Sequence, residues 1–128
     1  MRTLARMAVA VTAALALAAC GGSTATTGPG GGGGTATVCQ DSTGTTVVSA
    51  SVANMTWSQP VTAKVGDVIT WTNTDSVPHK VALDDGSCTM SNNITTGSPQ
   101  SLVFTKAGTY AFHCAVHPTM KGTITITN

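Results

Sequence analysis

Four side chains in the sequence offer donor atoms at spacings that suit one metal ion. Cys114, His117 and Met120 follow one another at intervals of three residues in the stretch YAFHCAVHPTMKGTITI, and His79 lies far upstream in SVPHKV. Together they supply one thiolate, two imidazoles and one thioether. Two histidines and a cysteine in a plane, with a weak axial methionine, form the ligand set of blue-copper electron-transfer sites. The four residues therefore predict a copper site that exchanges single electrons.

Each of these residues also has a simpler interpretation. Cys114 could be a buried apolar thiol, and Met120 could fill the core, because both side chains pack well as hydrophobic groups. Either histidine alone would be an ordinary surface or hydrogen-bonded residue. Zinc could use the two histidines and the cysteine, but a methionine ligand argues against a dedicated zinc site. It is the combination of the four that favours copper.

His113 needs a separate interpretation, because it directly precedes the cysteine. Neighbouring residues of a strand face opposite sides, so His113 turns away from any ion that Cys114 binds. It could bind a second copper on the other face, or it could be a solvent-facing or hydrogen-bonded histidine. The sequence has three histidines, and none is left to complete a second site. We therefore favour the second interpretation.

The segments that must position these residues are predicted to be short strands separated by turns. Thr, Val and Ile alternate with polar residues, and no stretch has the period of an amphipathic helix. Residues 84–99 are the least regular part and predict a long loop with room for one helical turn. Strands are predicted at residues 45–53, 61–65, 68–73, 80–83, 100–105, 109–114 and 121–127. Their number and spacing predict an all-β fold, a Greek-key β-sandwich.

The composition limits the domain count and the class of partner. The 128 residues allow one folded domain. Six Lys and Arg stand against five acidic residues, all of them Asp, and Arg2 and Arg6 both lie near the start of the chain. A nucleic-acid-binding protein would need a clear basic excess, so this class is excluded.

The start of the chain predicts export and a lipid anchor. Residues 1–19 combine Arg2 and Arg6 with an apolar run at 7–19 that is too short to span a bilayer comfortably. The run ends in LAAC, which is similar to a bacterial lipoprotein cleavage box and predicts that Cys20 carries a membrane-anchoring lipid. An ordinary secretory signal peptide is the alternative. Residues 20–37 are rich in Gly and Thr and predict a flexible tether to a copper domain at 38–128, in the periplasm or at the cell surface.

Two further cysteines, Cys39 and Cys88, have no role in the lipid or copper predictions. Disulfides are permitted in an exported protein, so the two could be bonded to each other. Closing a loop of about fifty residues would contribute roughly 4 kcal/mol in the chain-entropy model. Two free thiols, or an auxiliary metal site with Met90, are the alternatives.

Two motifs resemble the amicyanin and plastocyanin branch of the cupredoxins. They are VGDVITWTNTDSVPHKV at residues 65–81 and GTYAFHCAVHPTMKGTITI at 108–126, and the resemblance extends over 51–128. It implies an eight-stranded sandwich in which Asn73 hydrogen-bonds to the loop after Cys114 and steadies the site. The copper ligands that it implies are His79, Cys114, His117 and Met120.

The resemblance also implies a monomeric electron carrier with transient redox partners, which bury little area on contact. His117, flanked by Val116 and Pro118 and with Pro78 nearby, is the implied exit for the electron. A copper-delivery module is the alternative function, but such modules use open clusters of Met and His. An enzyme would need a second copper centre, which this chain could supply only by trimerising and sharing His113.

Overall fold

The computed structural model describes residues 37–128. The predicted signal peptide at 1–19, the lipidation at Cys20 and all but the last residue of the predicted tether lie outside the described residues. Within residues 37–128, there is no helix with the length and apolar character needed to cross a membrane.

The described residues form two β-sheets, which share one hydrophobic core. The order is β1-β7-β5-β2-β3 in the first sheet and β4-β9-β8-β6 in the second. Neighbouring strands are antiparallel, except for the parallel pairs β2 with β5 and β4 with β9. The predicted all-β sandwich is thereby confirmed. The nine strands are β1 (Cys39–Asp41), β2 (Val48–Ala53), β3 (Thr56–Trp57), β4 (Val61–Lys64), β5 (Val68–Asn73), β6 (Val81–Leu83), β7 (Gln100–Phe104), β8 (Gly108–Cys114) and β9 (Lys121–Thr127).

Alternation along the strands explains which side chains are buried. In β5, Ile69, Trp71 and Asn73 are buried, and the residues between them are not. Successive side chains of a strand point to opposite faces, so every second residue of β5 enters the core. Phe104 and Phe112 bring large buried side chains from β7 and β8 to the same core. Complete burial of a side chain of this size stabilises the fold by about 1.5–3 kcal/mol.

All seven predicted strands are present, and two short ones were missed. β1 has three residues and β3 has two, which is too short for a periodic pattern. Residues 37–128 therefore form nine strands rather than the eight that the resemblance implies. Residues 84–99 contain isolated bridges instead of the helical turn for which the prediction left room.

The irregular segment at 84–99 is packed against the sandwich. Cys88, Met90 and Ile94 are buried. The Met90 N–H donates to the Val81 carbonyl at 3.0 Å, and the Ile94 N–H donates to the His79 carbonyl at 2.7 Å. Its backbone thus runs alongside β6 and the residues that precede it, and it covers His79.

A disulfide holds this segment to the first strand. Cys39 of β1 is bonded to Cys88, with their Cα atoms 5.7 Å apart, and both side chains are buried. The predicted pairing is therefore present, and the alternatives of two free thiols or a metal site with Met90 are excluded.

Candidate metal centre

Cys114 is the last residue of β8, and the neighbouring strand fixes its position. It pairs with Val81 of β6 in the ladder, and its side chain is completely buried. Its sulfur accepts the Lys80 N–H at 3.4 Å, and its own N–H donates to the Met120 carbonyl at 2.9 Å. The thiol is therefore held between the strand that carries it and the segment that enters β6.

His79 lies just before β6 and is bonded to the irregular segment on its other side. Its backbone N–H and carbonyl both pair with Ile94, at 3.0 and 2.7 Å, and its side chain is completely buried. Its Nδ1 lies 3.7 Å from the Cys114 sulfur. Its Nε2 faces the other way and lies 3.1 Å from Oδ2 of Asp75.

His117 completes the group from the turn that follows β8. Its carbonyl accepts the Met120 N–H at 2.9 Å, which closes the turn. Its Nδ1 lies 3.8 Å from the Cys114 sulfur, and its half-buried ring lies 5.1 Å from the His79 ring. The donor atoms of these three residues all lie within 4.8 Å of one another. The structure thus brings together three of the four predicted ligands around one point.

The separations of the donor atoms fit a single metal ion. An ion about 2.3 Å from sulfur and about 2.0 Å from nitrogen, with an angle of 120° between them, would hold the two atoms roughly 3.7 Å apart. The two observed sulfur-to-nitrogen distances are 3.7 and 3.8 Å. Among the described residues, no carboxylate joins this group. A thiolate with two imidazoles is too soft a set for magnesium or calcium and suits copper or zinc.

Met120 is placed next to the group by its backbone. Its N–H donates to the His117 carbonyl, and its own carbonyl accepts the Cys114 N–H, both at 2.9 Å. Its side chain is buried. These contacts bring the fourth predicted ligand to the same loop, and its role as axial ligand stays a prediction.

Trp57 borders the centre and was missed in the sequence. Its ring meets the His79 ring edge-on, with centroids 5.9 Å apart, and meets Phe112 at 5.2 Å. Its indole N–H donates to the Met120 carbonyl at 3.3 Å. Trp57 belongs to the two-residue strand β3, so only the tertiary structure could place it here.

The predicted contact of Asn73 with the loop after Cys114 is wrong. Its amide nitrogen donates to the Val77 and Ile94 carbonyls, at 2.8 and 3.0 Å. Its amide oxygen accepts the Asp75 N–H at 2.7 Å. Asn73 therefore steadies the loop that leads to His79 rather than the loop after the cysteine.

The loop after Cys114 has a different partner. The N–H of Ala115 donates to the Lys80 carbonyl at 2.9 Å. Since the Lys80 carbonyl already accepts the N–H of this loop, the Asn73 side chain is free to bond elsewhere.

Asp75 is a second residue that the sequence prediction missed. Its two carboxylate oxygens accept the N–H groups of Asn54 and Met55, at 2.6 and 2.9 Å, and Oδ2 also faces Nε2 of His79. The N–H of Met55, then that of Asn54 and the bond to His79, lower the pKa of Asp75 against the opposing effect of burial. Its position four residues before a candidate ligand histidine is the signal in the sequence that could have indicated it.

His113 is bonded to a carboxylate away from the donor group. Its Nδ1 lies 2.6 Å from one oxygen of Asp84, and Lys121 approaches the other oxygen at 3.5 Å. This hydrogen bond, followed by the charge of Lys121, lowers the pKa of Asp84. The arrangement agrees with a partly exposed, hydrogen-bonded histidine.

Comparison with known proteins gives a consistent result. A family model described as a cupredoxin-like domain matches residues 10–126. Amicyanin from Paracoccus denitrificans is 33% identical over 84 residues, which are 62% of this chain and 64% of that protein. Plastocyanin from Scenedesmus fuscus is 33% identical over 78 residues, covering 52% of this chain and 80% of that protein. This chain thus spans less than two thirds of the length of the Paracoccus amicyanin.

Solved structures agree with the sequence relatives. An oxidised amicyanin variant superimposes with a TM-score of 0.56 and 32% identity, covering 62% of this chain and 80% of that one. A reduced Cu(I) form of another amicyanin variant, at pH 4, gives a TM-score of 0.60 and 26% identity, covering 70% and 98%. The likeness therefore includes the fold, and the match to the family model at residues 10–126 includes the candidate ligands.

Proposed function

The chain belongs to the cupredoxin-like family, and from this premise we propose that it is a blue-copper protein that carries single electrons between redox partners and is not an enzyme. The copper ligands in this proposal are His79, Cys114, His117 and Met120. The observation that carries it is the convergence of one sulfur and two Nδ1 atoms at 3.7 and 3.8 Å around one point. When bound, copper supplies the one-electron couple, and the protein supplies a fixed frame.

The burial and bonding of the ligands support electron transfer over copper delivery. Cys114 and His79 are completely buried, and each is held by backbone hydrogen bonds to a neighbouring segment. Donors held in this way would need little reorganisation when a bound copper ion changes its oxidation state. A delivery protein would need its donors accessible to an incoming partner.

The route for the electron runs through the one partly accessible ligand ring. His117 is half-buried, and the adjacent Val116 and Pro118 are exposed. Val77, on the loop that leads to His79, is exposed as well. We propose that these apolar residues receive a redox partner in a brief encounter of small buried area.

We also propose that the chain is exported and anchored to a membrane through a lipid on Cys20. The sequence LAAC at residues 17–20 supports the anchor. The disulfide between Cys39 and Cys88 supports export, because such bonds persist in oxidising compartments. Labelling cells with a fatty-acid analogue should mark the wild-type chain and leave Cys20→Ser unmarked, and an equally labelled variant would exclude the anchor.

Copper loading of the purified protein tests the electron-carrier proposal. We expect Cu(II) to produce an intense thiolate-to-copper charge-transfer band and a reversible one-electron voltammogram. Cys114→Ser should lose the band, whereas Cys20→Ser should keep it. A colour that survives in Cys114→Ser would contradict the ligand assignment. A weak band in the wild type, together with tight Cu(I) binding, would favour copper delivery.

A further inference from the structure

We propose that Asp75 is a positioning residue for His79, which fixes the proton of the imidazole on Nε2, aims Nδ1 at the Cys114 sulfur and favours oxidised copper. The tautomer and the orientation of the ring are properties of the polypeptide alone. The effect on copper rests on the proposed function.

The two nitrogens of His79 face different groups. Nδ1 lies 3.7 Å from the Cys114 sulfur, and Nε2 lies 3.1 Å from Oδ2 of Asp75. A neutral imidazole has one N–H donor and one lone-pair acceptor, and an ionised carboxylate can only accept. The proton therefore resides on Nε2, and the lone pair of Nδ1 points towards the donor group. A metal ion needs this tautomer, because it binds through the lone pair.

Asp75 is itself held by several bonds, so it can impose an orientation. Its carboxylate accepts two backbone N–H groups of the turn at residues 54–55. Its own N–H donates to Asn73 at 2.7 Å, and its carbonyl accepts the Thr96 hydroxyl at 2.8 Å. The backbone carbonyl of Asp75 is thus occupied by Thr96, and the carboxylate is the group that faces His79. The side chain is 14% exposed.

A carboxylate at this position changes the electronic character of the ligand as well as its direction. A hydrogen bond from a ligating imidazole to a carboxylate raises the basicity of the nitrogen that binds the metal. A more basic ligand stabilises the doubly charged ion more than the singly charged one. Asp75 therefore shifts the balance towards Cu(II) and lowers the reduction potential.

The first experiment reads the tautomer in the metal-free full-length chain. Ring 15N chemical shifts of His79 should show a protonated Nε2 and an unprotonated Nδ1 in the wild type. Asp75→Ala should give a mixture of tautomers. Asp84→Ala is the matched control, because it removes the carboxylate that is bonded to His113, a histidine outside the donor group. It should leave the tautomer of His79 unchanged.

The second experiment measures the affinity for Cu(II) and the reduction potential of the copper-loaded protein. We expect Asp75→Ala to bind Cu(II) 10–100-fold more weakly, as is typical when a partner of a ligand histidine is lost. Each tenfold loss of Cu(II) affinity relative to Cu(I) raises the reduction potential by about 59 mV. Asp75→Asn keeps the shape of the side chain but not its charge. Its Cu(II) affinity and reduction potential should lie between those of the wild type and of Asp75→Ala. Asp84→Ala should stay close to wild type.

Two results would overturn the proposal. One is a wild-type His79 with its proton on Nδ1, which needs no variant and is readable even if Asp75→Ala does not fold. The other is a change in potential for Asp75→Asn no larger than for Asp84→Ala. A chain that binds no copper but shows the expected tautomer would refute the proposed function and leave the positioning role of Asp75 intact.

Discussion

Single hydrogen bonds to the backbone set the geometry around Cys114. The Met120 carbonyl receives two of them, one from the Cys114 N–H at 2.9 Å and one from the Trp57 indole at 3.3 Å. The first bond closes the loop between β8 and β9, and the second connects that loop to the other sheet. Trp57 therefore contributes both packing against His79 and a polar tie to Met120.

Replacing Trp57 by Phe isolates that polar tie. We expect Trp57→Phe to lower the free energy of unfolding by about 0.5–1.5 kcal/mol for the hydrogen bond, beyond the loss of ring area. Trp71→Phe is the matched control, because its buried indole N–H has no acceptor among the described residues. Urea unfolding of the metal-free proteins measures both. A loss for Trp71→Phe equal to or larger than that for Trp57→Phe would contradict the role of the bond.

We expect the contribution of Asp84 to the stability of the fold to be lost in acid. Its pKa is lowered below the ordinary value of 3.8, first by the hydrogen bond from His113 and then by the charge of Lys121. A group with a lowered folded-state pKa stabilises the fold above its unfolded pKa, and this contribution is lost as the pH falls through the folded pKa. The melting temperature of the metal-free protein should therefore decrease as the pH is lowered below about 4. The melting temperature of Asp84→Asn should decrease less on acidification than that of the wild type. Parallel curves of melting temperature against pH for the two proteins would refute this prediction.

At the scale of elements, the hairpin between β2 and β3 carries an unusual turn. Asn54 and Met55 have φ angles of 52° and 58°, in the left-handed region that favours glycine. Positive φ at both central residues is typical of a type I′ turn, in which Asn is favoured at the first position and Gly at the second. Met55 departs from this preference, and the Asp75 carboxylate that accepts both N–H groups compensates for it.

Placing glycine at the second turn position should relieve this strain. We expect Met55→Gly to raise the free energy of unfolding by about 0.5–1 kcal/mol relative to Met55→Ala, because a left-handed non-glycine residue costs more than the extra chain entropy of glycine. Alanine is the matched control, since it removes the same exposed side chain and keeps the Cβ. Equal stabilities of the two variants in chemical denaturation would show that the turn is unstrained.

The elements also show how much the sequence could predict. β5 and β8 alternate buried and outward-facing residues over six and seven positions, so their period was visible and their bounds were nearly correct. β3 has two residues and offers no period, so the position of Trp57 was not predictable. The clustering of the candidate ligands was predictable because Cys114 and His117 are close in sequence and the chain has few histidines. The partners of Asn73 and Asp75 depend on loop geometry, which no local pattern encodes.

At the scale of the whole molecule, one covalent link joins distant parts of the sandwich near the site. The disulfide connects Cys39 on the edge strand β1 to Cys88, 49 residues later. From Cys88 the chain runs along β6 to Ile94, which pairs with both backbone groups of His79. The disulfide therefore anchors the beginning of the segment that covers His79, a candidate ligand.

Removing this link should lower stability without removing the candidate ligands. A closed loop of this length lowers the entropy of the unfolded chain by an amount worth about 4 kcal/mol, so the double variant Cys39→Ala, Cys88→Ala should lose roughly 2–5 kcal/mol in chemical denaturation. The wild type under reducing conditions is the control and should lose a similar amount. Because Cys114, His117 and Met120 belong to the β8–β9 region, the folded variant should still develop the copper charge-transfer band. A loss of colour at full folding would show that the segment from Cys88 to Ile94 needs its covalent anchor to hold His79 in place.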